Sequence, residues 1–177
     1  QQYKNTSVYT SFNRLYDKSM LVGSKYVRTN LTTRAVSKFG KDDRWTLDTK
    51  VQYSNSNAHN RPNGGVNANN AYAVMYQLPR SLDIRDFAGA RDEFGNMIWY
   101  DVPSAAVNPY WGAKYNLNND VRDRFLLNAS LKYQFNSWLN AEIKGGGDLY
   151  NTATQSKAYA GGPVTNLYAQ GKNAFKE

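Results

Sequence analysis

The sequence contains no cysteine. Disulfide bonds and thiolate metal sites are therefore excluded. No run of eighteen apolar residues occurs, so a transmembrane helix is not expected, and no segment has the pattern of a secretory signal peptide. Because the chain begins at Gln1 rather than at methionine, we expect either a removed leader or a start within a longer protein.

Histidine is nearly absent, since His59 is the only one and lies in an asparagine-rich stretch. A serine–histidine–acid triad would have to use it, and no neighbouring residue suggests a fixed base. Asp92, Glu93 and Asn96 lack the spacing of a calcium-binding loop. The sequence therefore predicts a protein that is not an enzyme, with no catalytic residue, no metal and no cofactor.

The charge is strongly basic but not clustered. The formal net charge is +8, with lysine and arginine spread along the chain. Nucleic-acid binding would require a basic stripe with interleaved stacking aromatics on a recognisable module, and the sequence has none. We interpret the charge as a solvated surface and expect no nucleic-acid partner.

Low hydropathy and high aromatic content occur together. The mean hydropathy is −0.73, which alone would favour disorder. Aromatic residues make up 14% of the chain, and there are 14 tyrosines, which argues against disorder. A sheet with one wet face and one apolar face accounts for both observations.

Five segments alternate between apolar and polar residues. In one of them Leu47 and Val51 alternate with Asp48 and Lys50. Such period-two patterns predict half-buried antiparallel strands, although the first segment mixes its two faces. The predicted strands cover about 6–16, 25–39, 44–56, 121–135 and 138–150. The segments 57–119 and 151–177 are predicted as loops, with a short helix at 71–78 capped by Asn70, a turn at 92–96 and a short strand at 97–100.

Strand length and aromatic placement favour a membrane barrel over a soluble sandwich. The predicted strands exceed the usual globular length of about five or six residues and match the roughly nine to eleven that cross a membrane. Four aromatic residues flank the two tight turns, as in a membrane girdle: Phe39, Trp45, Phe135 and Trp138. The predicted fold class is all-β, with antiparallel strands of a transmembrane outer-membrane β-barrel and one long external loop.

The five predicted strands are too few to close a barrel, since the smallest membrane barrels have about eight. Either further strands escape the pattern or the chain is a segment of a larger β-barrel. We expect residues 1–56 to supply three strands, 57–119 a long external loop, 120–150 two strands and 151–177 another external loop.

The polar face carries charges of both signs, which a dry core would not tolerate. We predict that these residues face the barrel lumen while the apolar face contacts outer-membrane lipid. The predicted lumen-facing residues are Arg28, Arg34, Asp48, Lys50, Arg124, Lys132, Glu142 and Lys144.

Four aromatic residues in the long loop are candidate contacts for a ligand or a partner: Trp99, Tyr100, Tyr110 and Trp111. The alternative is that they pack the loop against itself, because loops of this length usually build small cores.

Several short motifs occur in a characteristic order. They are YVRTNL at 26–31, LPR at 78–80, DEFGN at 92–96, NPYW at 108–111, NDVRDRF at 119–125, NASLKYQF at 128–135 and GDLY at 147–150. Together they span most of the chain, from residue 26 to residue 150. In this order they resemble the early barrel strands and the first large external loop of the SusC/RagA-type TonB-linked outer-membrane proteins of Bacteroidota.

This resemblance implies a function in the bacterial cell outer membrane. Such proteins are barrels with an N-terminal plug that import glycans or peptides with energy from TonB. A SusD-like surface lipoprotein captures the substrate and docks on their external loops. The sequence shows no plug, no energy-coupling box and no closing strand, so contact with TonB would lie in a missing N-terminal part. The alternative is a secreted β-rich glycan-binding or adhesin module that binds through its aromatic loops.

Overall fold

The computed structural model describes residues 4–65, 67–101 and 106–162, and only the backbone of 2–3 and 174–176. The described residues include seven strands: β1 (Gln2–Tyr3), β2 (Thr6–Lys18), β3 (Lys25–Phe39), β4 (Trp45–His59), β5 (Asn116–Gln134), β6 (Asn140–Ala158) and β7 (Ala174–Lys176). The helices are α1 (Ala71–Gln77) and α2 (Pro109–Tyr115), with single 3-10 turns at Lys41–Asp43 and Ile84–Phe87.

The strands form one antiparallel sheet, in which each strand pairs with the strands that precede and follow it in the sequence. The two outer strands, β1 and β7, are only 2 and 3 residues long. The five long strands run for 13 to 19 residues. Over the described residues the sheet is open and does not close into a barrel. The prediction of an all-β antiparallel fold is thus confirmed.

The strand pairing defines two faces of the sheet. The Thr6 and Ser37 hydroxyls lie 2.5 Å apart, and those of Thr10 and Thr33 lie 3.5 Å apart. Even-numbered residues of β2 therefore share a face with odd-numbered residues of β3. Because this is the apolar face of β3, Phe12 of β2 also belongs to it.

The long strands extend further than predicted. Strand β4 ends at His59, β5 begins at Asn116 and β6 ends at Ala158 instead of about Tyr150. The extensions are held by long-range bonds, since the Asn60 amide donates to the Asn118 carbonyl at 2.7 Å. Part of the predicted 151–177 loop is consequently strand, and the rest, apart from 159–162 and β7, lies outside the described residues.

The helical predictions have a mixed outcome. Helix α1 is confirmed, and the Asn70 side chain accepts bonds from the Tyr72 and Ala73 amides, as an N-cap does. Helix α2 was not predicted, although Asn108 caps it and Pro109 occupies its first turn. The predicted strand at 97–100 is wrong, because only an isolated Arg91–Met97 bridge forms there.

The chain divides into two compact units. The strand unit comprises residues 1–15, 27–56 and 121–152, and the loop unit comprises 16–26, 57–120 and 153–177. The loop unit has a small core of Ala90, Val107 and Trp111. In the strand unit no described side chain is buried. No helix among the described residues is long and apolar enough to cross a membrane.

Candidate functional site: a two-faced sheet and a loop cavity

One face of the strand unit is apolar and uncovered. Alternation places Leu47 and Val51 of β4 and Leu127 and Leu131 of β5 on this face, and each is 37–46% exposed. Ile143 of β6 is 77% exposed. Contiguous apolar surface of this extent is unusual on a soluble monomer and marks a contact with a partner or a lipid phase.

Aromatic rings form a cluster beside the short turns. Phe39 stacks on Trp45 with ring centroids 6.2 Å apart, and Trp45 lies 4.5 Å from Tyr133. Tyr133 in turn meets Phe135 edge to face at 4.8 Å. The cluster thus joins three of the four predicted girdle residues, whereas Trp138 is 78% exposed in the next turn.

A second aromatic pair lies further along the same strands. The Tyr53 and Phe125 rings are 4.7 Å apart. The Tyr53 hydroxyl donates to an Asp123 carboxylate oxygen at 2.5 Å, and the Asn55 amide donates to the same oxygen at 2.8 Å. On the apolar face, the hydrocarbon surface therefore gives way to polar groups at this level.

The opposite face carries cross-strand ion pairs. Arg34 makes a two-pronged contact with Asp48 at 2.5 and 2.9 Å. Arg124 binds Asp148 of the next strand with the same geometry, at 2.5 and 2.8 Å. These pairs are partly exposed, so solvent screens them and each contributes little to stability. Their main consequence is a wet, charged surface with fixed side-chain positions.

The structure brings most of the predicted lumen-facing residues together. A shallow depression of about 290 Å³ is lined by Arg34, Asp48, Lys50, Glu142 and Lys144.

The other three predicted residues lie elsewhere in the strands. Arg124 is in the ion pair described above, and Arg28 donates to Asn30 at 3.1 Å. Lys132 is half-buried in β5. Their orientation toward a lumen stays a prediction.

Buried asparagines organise the loop unit. Asn108 is completely buried, and its amide donates to the Phe87 and Ile98 carbonyls at 2.9 and 2.8 Å. Its side-chain oxygen accepts from the Tyr110 amide at 2.9 Å. One side chain therefore connects three segments, and it fixes where α2 begins.

Two of the four candidate loop aromatics are buried. Trp99 is 5% and Trp111 is 1% exposed, and neither indole nitrogen has a partner among the described residues. Tyr100 is 39% exposed and stacks near Trp99 at 4.9 Å, while Tyr110 is half-buried. The two tryptophans pack the loop unit, and the contact of these four residues with a ligand or partner stays a prediction.

A cavity of about 420 Å³ opens in the loop unit. Its apolar wall includes Met20, Leu21, Val22, Tyr72, Met75 and Ile84. Asn69 and Asn116 are also on the wall, and the Asn116 amide donates to the Asn69 side-chain oxygen at 2.8 Å. The cavity has the size and mixed lining of a small-ligand site.

The charge beside this cavity is largely compensated. Arg61 contributes to the lining and forms an ion pair with Asp120 at 2.8 Å. Its guanidinium also lies 5.8 Å from the centre of the Tyr26 ring. No carboxylate lines the cavity within the described part of the chain.

Exposed turns of the loop unit hold their carboxylates ionised. The Arg85 side chain binds Asp83 and lowers the pKa of that carboxyl to about 2. At Asp92, the hydrogen bond from the Asn96 backbone amide is the main cause of a lowered pKa. This bond, 2.7 Å long, closes the predicted 92–96 turn, so the turn and its charge depend on each other.

No cluster of three or more histidine or carboxylate side chains that could hold a metal occurs in the described ranges. His59 is half-buried at the end of β4.

Of the four candidate loop aromatics, Tyr110 lines the cavity, but sequence reasoning missed the other lining residues. Met20 and Met75 are far apart in sequence and lie in segments without a recognisable motif. The only signal was the stretch 59–70, rich in asparagine and glycine, which predicts a flexible loop or turn. Two of its asparagines, Asn60 and Asn70, are instead buried and bonded.

Comparisons with known proteins identify no relative: no protein-family model matches this chain, and no curated protein matches it. The resemblance to SusC/RagA-type proteins therefore stays a prediction from the motifs.

Proposed function

We propose that this chain forms part of the barrel wall of an outer-membrane active transporter, which imports glycans or peptides with TonB-derived energy. The observation that carries the proposal is the two-faced sheet of the strand unit. It has long strands in a single layer, an uncovered apolar face and a charged opposite face.

The apolar face has the height of a membrane band. Eight residue steps separate Trp45 in the cluster by the short turns from Tyr53 in the second aromatic pair. At about 3.3 Å per residue and a tilt of roughly 40°, these steps correspond to about 20 Å of height. Outer-membrane barrels have an apolar band of about 25 Å between two aromatic girdles. The two clusters agree with such girdles.

The charged face suits a water-filled or plug-filled interior. Ion pairs such as Arg34–Asp48 tolerate a wet surface, whereas a lipid phase would penalise each exposed charge by a few kcal/mol. The excess of cations there would favour anionic or polar contents.

The edges of the sheet favour a larger barrel. Among the described residues, β2 and β6 are each covered on their outer side only by a strand of 2 or 3 residues. Inside lipid, the remaining backbone groups of these strands would be unsatisfied unless further strands pair with them. In the proposed transporter, the rest of the barrel supplies those strands.

The loop unit would then supply external surface. Its small core and buried asparagines give it a defined shape that substrate or a SusD-like lipoprotein could contact. The TonB coupling and the lipoprotein partner rest on the SusC/RagA resemblance of the motifs at 108–111 and 119–125. No bond is made or broken in this mechanism, because the protein moves substrate and does not transform it.

The secreted β-module alternative has less support. A soluble module would bury its apolar sheet face beneath a second layer. Ile143 and Leu149 are instead 77% and 63% exposed.

Uptake in the source bacterium tests the proposed function. Deleting the gene should abolish energy-dependent uptake of at least one labelled oligosaccharide or peptide, and restoring the full-length gene should return it. A protonophore should have the same effect as deletion, because TonB-linked import uses the proton gradient. Unchanged uptake of all substrates, together with recovery of the protein outside the outer-membrane fraction, would refute the proposal.

A further inference from the structure

One part of the wall of the cavity in the loop unit is formed by apolar side chains. Met20, Leu21 and Val22 approach from the segment after β2, and Met75 and Ile84 contribute from around α1 and the following 3-10 turn. These side chains offer no hydrogen bonds. A sugar ring placed against them would leave several hydroxyls without partners, which is unfavourable.

Two linked amides add a directional polar element to this wall. Because the Asn116 amide already donates to the Asn69 oxygen, the Asn116 oxygen and the Asn69 amide hydrogens remain available. Neither has another partner among the residues that the structure describes. One acceptor beside one donor complements a peptide unit, which offers one N–H and one C=O.

The charges that line the cavity further restrict which type of ligand it can bind. Its cation, Arg61, is paired with Asp120, and no described carboxylate lines the wall. A charged ligand side chain would lose its hydration there without gaining an opposite charge. The cavity volume of about 420 Å³ is sufficient for a single large side chain and its flanking peptide groups.

We infer that this cavity is a peptide-binding subsite, which takes one uncharged apolar side chain and holds its main chain on Asn69 and Asn116. The inference deepens the proposed function, since it selects peptide over glycan at this site. All of its described lining residues belong to the loop unit.

Ligand-detected NMR on the full-length protein in detergent micelles tests the inference. The probes are N-acetyl-leucinamide, the charged N-acetyl-aspartate and the oligosaccharide maltotriose. We expect saturation transfer from the protein to N-acetyl-leucinamide alone. Equal transfer to maltotriose, or no transfer to any probe, would overturn the inference.

A pair of tryptophan substitutions locates the binding. Ala71 lines the cavity, so Ala71→Trp should fill it and weaken N-acetyl-leucinamide binding by at least about tenfold. Gln77→Trp adds the same ring to the same helix at an exposed position outside the lining, and should change the Kd by less than about twofold. Similar affinities for both variants would place the ligand elsewhere.

A second variant, which enlarges the cavity, keeps the inference testable if Ala71→Trp does not fold. Met75→Ala removes side-chain volume from the wall. It should shift the preference from N-acetyl-leucinamide toward N-acetyl-phenylalaninamide, a change that general loosening of the fold would not produce. An unchanged preference would count against the inference. These binding measurements do not depend on transport. They can therefore contradict the peptide-binding subsite while the uptake experiment supports the transporter, or support the subsite while the uptake experiment refutes the transporter.

Discussion

Asn108 illustrates how one side chain can organise a loop of this length. It donates to two carbonyls, accepts from the first turn of α2 and has no exposed surface. Without it, the Ile98 carbonyl and the Tyr110 amide would be left unpaired, and the Phe87 carbonyl would keep only its bond from the Ala90 amide. A buried polar group is stabilising only when all of its bonds are made, and Asn108 meets that condition.

The substitution Asn108→Asp tests this role with almost no change in shape. It replaces the donating amide by an oxygen, so the Ile98 carbonyl loses its donor and the Phe87 carbonyl keeps only the Ala90 amide. We expect the free energy of unfolding to fall by at least about 2 kcal/mol, since each unpaired buried group costs about 1–3 kcal/mol. Urea unfolding can be followed by the fluorescence of the buried Trp99 and Trp111.

The exposed Asn57 of the same unit provides the control, because Asn57→Asp should change stability by less than about 0.5 kcal/mol. Equal losses for the two variants would mean that Asn108 does not organise the loop.

Leu131 and Ser130 are neighbours on opposite faces of β5. A lysine in place of Leu131 would enter the proposed lipid-facing surface, and this should cost about 2–4 kcal/mol near mid-membrane. A lysine in place of Ser130 would enter the charged depression beside Asp48 and should change stability by about 0.5 kcal/mol or less. The two variants are compared by unfolding from lipid vesicles. If both substitutions were equally tolerated, the apolar face would not contact lipid.

At the scale of the elements, the turn between β3 and β4 depends on a glycine. Gly40 has φ of +83°, and a Cβ at this position would lie 2.8 Å from the Trp45 ring. Both the backbone and the ring packing therefore require glycine here. The stack of Phe39 on Trp45 follows from this close approach.

Gly40→Ala should therefore destabilise the protein by about 1 kcal/mol or more and weaken the Trp45 signal in near-ultraviolet circular dichroism. Gly145 lies in β6 with no atom near its missing side chain and no positive φ. Alanine at that position should stabilise the protein by up to about 1 kcal/mol, because it restricts the unfolded chain. The account of the turn would be wrong if alanine had the same effect at both positions.

Local patterns explain which elements were predictable. The alternation along β3, β4 and β5 appears in the sequence itself, because side chains of a strand point to opposite faces with a period of two. Helix α1 was equally local, with Asn70 at its start and Pro79 after its end.

Long-range bonds explain what was not predictable. The Asn60–Asn118 pairing that extends β4 and β5 joins residues 58 positions apart. Helix α2 begins where Asn108 is held by carbonyls 10 and 21 positions away. The cavity is lined by segments that are far apart in the sequence, from residues 20–24 to residues 107–118. No short stretch of sequence contains them together.

At the scale of the whole molecule, the strand unit and the loop unit differ in what stabilises them. The strand unit has no buried side chain among its described residues, so its stability must come from what covers its two faces. The loop unit has its own core and asparagine network. We therefore expect the strand unit to depend on a lipid or detergent phase much more than the loop unit does.

Cysteine labelling in the membrane tests the central claim most directly, because the natural chain has no cysteine. Single cysteines would replace Leu47, Asp48, Lys50 and Val51 in turn, in full-length protein in isolated outer membranes. A membrane-impermeant maleimide should label the Asp48 and Lys50 positions and leave the Leu47 and Val51 positions unlabelled until the membrane is dissolved. Equal labelling of all four in the intact membrane would contradict a sheet with one face in lipid.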